Sequence, residues 1–341
     1  MIRCSLILLV FTMPLFGQGT RETSPETWPR SFKAKSVDLR INEQTADGSL
    51  IVESPHFRIV AESNIGRQDL SRFARVVESV PQVIKSHPLR LWNSPQKSIT
   101  DILLCKDETS FAKAGGNRGA VGWWDGDKRR VLIRADYFLA PPRTETSRLQ
   151  AQPDEGLLVH ELVHASMSAS LWRLPPWFTE GIAEYFSVCH QGNGWYLFRD
   201  LESLIRNHLR HAVSRNKIGQ HFHLISVSSI LGLNHKDWIK ASQNQPGGNA
   251  YLPYATALLL VHYHLHGGAE RRAKTSAHLQ KIQTLSPRNA SPAFPTEDAE
   301  VIQKRLVNYW SSRGLQLIFS EQQTKARPTL PQADPSKRGQ P

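Results

Sequence analysis

The chain has 341 residues, with 42 Lys and Arg against 30 Asp and Glu, for a formal charge of +12. That balance draws anionic partners, which are nucleic acid on one reading and anionic cell-envelope polymers or acidic substrates on another. Lys128-Arg129-Arg130 and Arg271-Arg272 are short and form no stripe with interleaved aromatics, so specific nucleic-acid binding is not expected and an envelope polymer is kept as a partner.

Met1 to Gly19 reads as a secretory signal peptide: Arg3, an apolar run from Leu6 to Phe16, then Gly17-Gln18-Gly19. The run falls short of the roughly 20 residues that span a bilayer, and no later run reaches that length, so no stable membrane span is expected after cleavage near Gly19. The mature chain is expected outside the cytoplasm, secreted or periplasmic. Cys4 leaves with the signal. Cys105 and Cys189 remain, and a disulfide between them is permitted but not demanded in a chain this long.

Residues 20–35 are polar and proline-bearing and read as a flexible lead-in. Residues 36–150 read as a sheet lobe. Its strands are expected at Ser36 to Ile41, Ser49 to Glu53 and His56 to Ala61, with Asp47-Gly48 turning the first hairpin. Gly66 to Ser86 is helical by periodicity, with Leu70, Phe73, Val76, Val77, Val80 and Val83 on one side and Pro81 as a possible kink. A strand is expected at Ile99 to Cys105 and a short helix at Glu108 to Lys113, ended by Gly115-Gly116. Two strands, Ala120 to Trp124 and Arg130 to Arg134, follow around Asp125-Gly126-Asp127.

Residues 151–320 read as a mostly helical half, and they open on His160-Glu161-Leu162-Val163-His164. Spacing of four puts the two imidazoles on one helix face, while Glu161 points about 100° away. Glu161 therefore cannot chelate with them but can act as a base on a nearby water. Leu157, Leu158, Leu162, Val163 and Ala165 surround the polar trio, and a buried pair of histidines with a carboxylate is costly unless something such as a metal pairs them. Pro153, Asp154 and Glu155 mark the helix start, and Leu174-Pro175-Pro176 stops it. A catalytic zinc site needs a third protein ligand. The metzincin pattern would require glycine at 167 and histidine at 170, where the chain has Met167 and Ser170. Instead a second helix carries Glu180 and Glu184, and the small Gly181 and Ala183 would let it approach the first helix closely.

The His-Glu-x-x-His motif followed by Trp177-Phe178-Thr179-Glu180-Gly181-Ile182-Ala183-Glu184-Tyr185 resembles the gluzincin metallopeptidases, and in particular secreted bacterial peptidase MA-like sequences. The resemblance implies an α+β, zincin-like fold with the N-terminal mixed sheet packed on the helical half and a Zn²⁺ site in the cleft between. It implies His160, His164 and Glu180 as zinc ligands, Glu161 as general base, and Glu184 as the acid that orients a ligand imidazole. It further implies Tyr254 as the donor to the oxyanion formed in amide hydrolysis, although a core tyrosine would read the same way. In similar folds an edge strand beside the metal pairs with the substrate backbone, which here would be Gly122, Trp123 and Trp124; tryptophans packed on the sheet are the plainer reading.

Further helices are expected at Asp200 to Val213, Val227 to Gly232, Tyr254 to His266 and Glu297 to Arg313. His262, His264 and His266 fall at a helix end, where cationic side chains suit the dipole better than they suit a second metal. From Glu321 to Pro341 the prolines and charges without an apolar period read as a disordered tail. The functional expectation is a secreted zinc metallopeptidase acting on a peptide or protein substrate. The alternatives are a non-catalytic metal- or peptide-binding relative and a zinc hydrolase of a non-peptide amide or ester such as a cell-wall linkage.

Overall fold

The structure, a computed structural model, describes residues 28–42, 48–62, 67–91, 99–117, 120–138, 155–212, 221–243, 249–286 and 289–320. The expected signal segment, Asp47 of the first turn, Gly66, Pro153-Asp154 and the tail from Glu321 lie outside these residues.

The chain is mixed α+β. The first strand, β1 (Ser31–Lys33), falls inside the expected lead-in, and it forms because Phe32 packs toward the buried Tyr196 ring 6.2 Å away. The strand expected at Ser36 to Ile41 is confined to its last two residues, β2 (Arg40–Ile41). With β3 (Leu50–Glu53), β4 (Phe57–Ala61), β5 (Thr100–Cys105), β6 (Gly122–Asp125) and β7 (Arg130–Arg134) it builds a six-stranded sheet in the order β2-β3-β4-β5-β7-β6. The strands β2, β3 and β4 alternate in direction, β4, β5 and β7 run parallel, and β6 lies antiparallel to β7 at the edge. Parallel neighbours need a crossover, and between β4 and β5 it is α1 (Arg67–Ser86), whose buried Leu70, Phe73, Val76, Val77, Val80 and Val83 are the periodic set. Pro81 sits within α1 without ending it. After β5 comes α2 (Glu108–Ala114), capped by the Asp107 carboxylate on the Ser110 N–H at 2.8 Å and closed by Gly115 at φ 107°.

The second half begins with α3 (Ala135–Phe138) and α4 (Glu155–Leu171). Leu158, Val159, Leu162, Val163, Ala165 and Met167 place apolar groups round most of α4, leaving the face of Glu161, His164 and Ser168 to the cleft, and such a helix is stable only when most of its surface is covered. The cover comes from α1, β6, β7 and α5 (Pro176–Cys189). Pro176 stands at the first position of α5, where its missing N–H leaves nothing unpaired, and Thr179 Oγ1 donates back to the Leu171 carbonyl at 3.2 Å. Next come β8 (Trp195–Leu197), which pairs antiparallel with β1, then α6 (Leu201–Ala212), β9 (His221–Ile225), α7 (Val227–Leu231), α8 (His235–Gln243) and α9 (Leu252–His266). The chain closes with α10 (Ala269–Thr284), α11 (Ala299–Ser311) and β10 (Gln316–Ser320), the last parallel to β9.

The close approach expected of Gly181 is made to α9, not to α4. A Cβ on Gly181 would stand 2.5 Å from the Ala257 carbonyl oxygen and 2.7 Å from Val261 Cγ2. A single apolar cluster runs from Val52 in the sheet to Leu317 in β10, so sheet and helices share one core. Cys105 and Cys189 are both free and buried, the first in a small cluster with Phe111 and Leu132 and the second in the main core, so the permitted disulfide does not form. Among the described residues no helix is long and apolar enough to cross a membrane.

The three histidines at the end of α9 do not cap it as charges. Burial holds His262 down to about 3 and both His264 and His266 down to about 4, so they are neutral at neutral pH. The helix end is closed instead by the Gly267 N–H on the Tyr263 carbonyl at 3.0 Å, and the Arg271 guanidinium donates to the Gly267 carbonyl at 2.6 Å.

Candidate metal centre

Helical spacing brings His160 and His164 together with their Nε2 atoms 3.0 Å apart. Across the turn from α4, α5 presents Glu180, whose Oε2 lies 3.3 Å from both of those nitrogens. One ligand atom from each of the three residues falls within 4.8 Å of the others, the only such group among the described residues. The site lies in a cleft of about 320 Å³ lined by β6, α4, α5, α8 and the start of α9.

Two imidazole nitrogens and one carboxylate oxygen are a donor set that suits zinc and leaves room for a further ligand. Their electrostatics favour a cation. Burial works against charge on His160, yet Glu180 and Glu184 outweigh it and hold its pKa well above the ordinary value. Burial likewise opposes ionisation of Glu180, and His164 and His160 overcome it, so its carboxyl is held far below the usual carboxylate range. The residues present therefore fit a divalent metal.

Glu161 stands outside the donor group, as its angular position on the helix predicts. Its Oε2 accepts the Trp124 backbone N–H from β6 at 2.8 Å, which orients the carboxylate toward the cleft. That closeness needs Gly122 on the same strand, because a Cβ there would meet Glu161 Cγ at 3.0 Å. Burial pushes the Glu161 carboxyl up, more than His160 and His164 pull it down, so it is a stronger base than an exposed glutamate.

Glu184 reaches the other face of His160, with Oε1 2.9 Å from Nδ1, close but not aligned as a hydrogen bond. Its Oε2 accepts the Tyr251 hydroxyl at 2.6 Å and lies 3.4 Å from His208 Nε2, and His208 also meets the Tyr251 hydroxyl. Tyr251 at the head of α9 and His208 on α6 were not singled out by sequence. The one available signal for Tyr251 was its spacing of three from Tyr254, and the two rings lie stacked at 6.0 Å. His208, on a polar helix face, carries no local signal at all.

Tyr254 lines the cleft with its ring 6.1 Å from that of His160. Burial, with Glu180 and Glu161 nearby, raises its phenol pKa, so it keeps its proton and remains a donor. Trp123 and Trp124 also line the cleft, from the edge strand. The outward N–H of Trp124 is already given to Glu161.

Comparison with protein-family models and with curated proteins finds no match to this chain.

Proposed function

We propose that the chain is a zinc-dependent metallopeptidase of the gluzincin kind, with a zincin-like fold and its site between the sheet edge and the helices. The observation that carries this reading is the single Glu180 oxygen 3.3 Å from both histidine Nε2 atoms, with Glu161 on the same helix held apart from them by a backbone N–H. His160, His164 and Glu180 would hold the ion. Zinc, when bound, supplies Lewis acidity toward a carbonyl and a lowered pKa for water.

The chain's own groups do the rest. Glu161 accepts at Oε2 the N–H of Trp124, which leaves Oε1 to take the proton of the attacking water and return it to the departing amine as the C–N bond breaks. Glu184, with its charge 2.9 Å from Nδ1, would orient His160. Tyr254, protonated and facing the cleft, would donate to the oxygen that gains charge.

The test is metal analysis of the purified chain beside a peptide digest. Glu161→Gln should keep about one equivalent of zinc and lose turnover by at least ~100-fold, the scale of a general base, whereas His164→Ala should lose both zinc and turnover. Full activity in Glu161→Gln would remove the mechanism. Zinc without cleavage of any peptide would favour a binding protein or a hydrolase of another amide or ester.

A further inference from the structure

The cleft that holds the candidate centre is apolar beyond what three ligands and a base require. Trp123 and Trp124 from β6, Trp172 just past α4, Trp238 and Ile239 from α8, and Tyr254 from α9 line it. Trp172 and Ile239 leave 58% and 50% of their surfaces in water. Large apolar groups held exposed at the mouth of one cleft gain free energy when an occupant covers them. Trp172 is braced for that contact: the Arg173 guanidinium lies 4.5 Å from its ring and is itself tied to the carbonyls of Ser286 at 2.8 Å and Asn289 at 3.4 Å.

Charge in the cleft points the same way. Among the described residues lining it there is no Lys, Arg or Asp. Its two carboxylates belong to the centre, Glu161 held through Oε2 by the Trp124 N–H with Oε1 left for the water, and Glu180 set against the two imidazoles. Among the described lining residues a chain-end ammonium could pair only with Glu161 or Glu180, which the centre itself uses, and a chain-end carboxylate would meet no Lys or Arg, only the metal position that the water needs. His235, at the start of α8, is the one lining imidazole outside the centre. An internal stretch of polypeptide brings no terminal charge and can cover the exposed rings with its own side chains.

We propose that the cleft takes an internal segment of an extended polypeptide and seats a large apolar or aromatic side chain against Trp172 and Ile239, so that cleavage is endo-acting. This rests on the peptidase reading for its chemistry, but the selectivity of the cleft is measurable without turnover.

Binding is measured by calorimetry on the full chain carrying Glu161→Gln and loaded with zinc. The probes are octapeptides acetylated and amidated at their ends, with Phe, Leu or Asp at the centre, a Phe-Leu dipeptide with free ends, and a chitin tetrasaccharide. The blocked Phe and Leu peptides should bind at least ~10-fold more tightly than the blocked Asp peptide and the free dipeptide, and Trp172→Ala or Ile239→Ser should remove about that factor. Both substituted positions are largely exposed, so folding is retained. Tighter binding of the dipeptide, of the Asp peptide or of the tetrasaccharide would overturn the proposal, as would indifference to both substitutions or no binding of any probe. Hydrolysis by the unsubstituted chain is scored separately. Selective binding without hydrolysis leaves this inference standing and ends the peptidase reading; hydrolysis only from chain ends does the reverse.

Discussion

Glu184 is the most heavily engaged side chain around the centre, with His160 Nδ1 on one oxygen and Tyr251 and His208 on the other. A carboxylate held in this way fixes the tautomer and the ring plane of the imidazole it faces, and loss of such support typically costs metal affinity rather than folding. Tyr251→Phe should therefore weaken zinc binding by about 10-fold in a chelator competition. The unfolding midpoint of the metal-free chain should stay near its starting value. His208, 3.4 Å away, should matter less when changed to Ala. An unchanged zinc affinity in Tyr251→Phe would show that the hydroxyl only fills space. Glu180 and Glu184 were legible as a pair because both lie on one helical repeat, but nothing local could say which faced the histidines and which stood behind them.

At the scale of elements, the centre depends on α5 being wedged between α4 and α9. Gly181 permits the α9 contact, since a side chain there would overlap the Ala257 carbonyl and Val261. Gly181→Ala should destabilise the chain by about 1–3 kcal/mol in urea unfolding, the usual cost of overpacking a backbone contact. No loss of stability would mean that the helices can separate freely. Sequence periodicity anticipated α1, whose apolar residues keep to one side, whereas α4 and α5 were legible from the spacing of their motif residues and the prolines that start and stop them, and α9 from its apolar content. It passed over α10, where two of the four buried positions, Thr275 and His278, are polar and hide the spacing. It also passed over β8, β9 and β10, short strands whose partners lie far along the chain.

Across the whole molecule, burial of neutral histidines sets the response to acid. Burial depresses His87 and His262 to about 3 and His190, His264 and His266 to about 4, against an unfolded value near 6.5. A base whose pKa is lower in the folded state takes up its proton first in the unfolded state. Its stabilising contribution is thus complete above about pH 6.5 and is lost as pH falls toward 4 and 3, by about 1.4 kcal/mol per pH unit for each fully uncoupled histidine. His160, held charged by its carboxylate neighbours in the metal-free chain, runs the other way. Urea midpoints should fall steadily from pH 7 to pH 5, and His262→Phe should flatten that slope. A midpoint independent of pH over this range would contradict the buried, neutral state of these rings.

Helix geometry repeats over four residues, so the sequence alone determined that His160 and His164 share a face and that Glu161 does not. Apolar content alone likewise determined that α4 is buried over most of its surface. Only the tertiary structure decided that Glu180 Oε2 meets both imidazoles, that the Trp124 N–H holds Glu161, and that Tyr251 and His208 clamp Glu184. Those contacts join a sheet edge, the neighbouring helices α4 and α5, α6, and the head of α9, which lies far along the chain. Their distances follow from how the shared core packs, which no local spacing encodes.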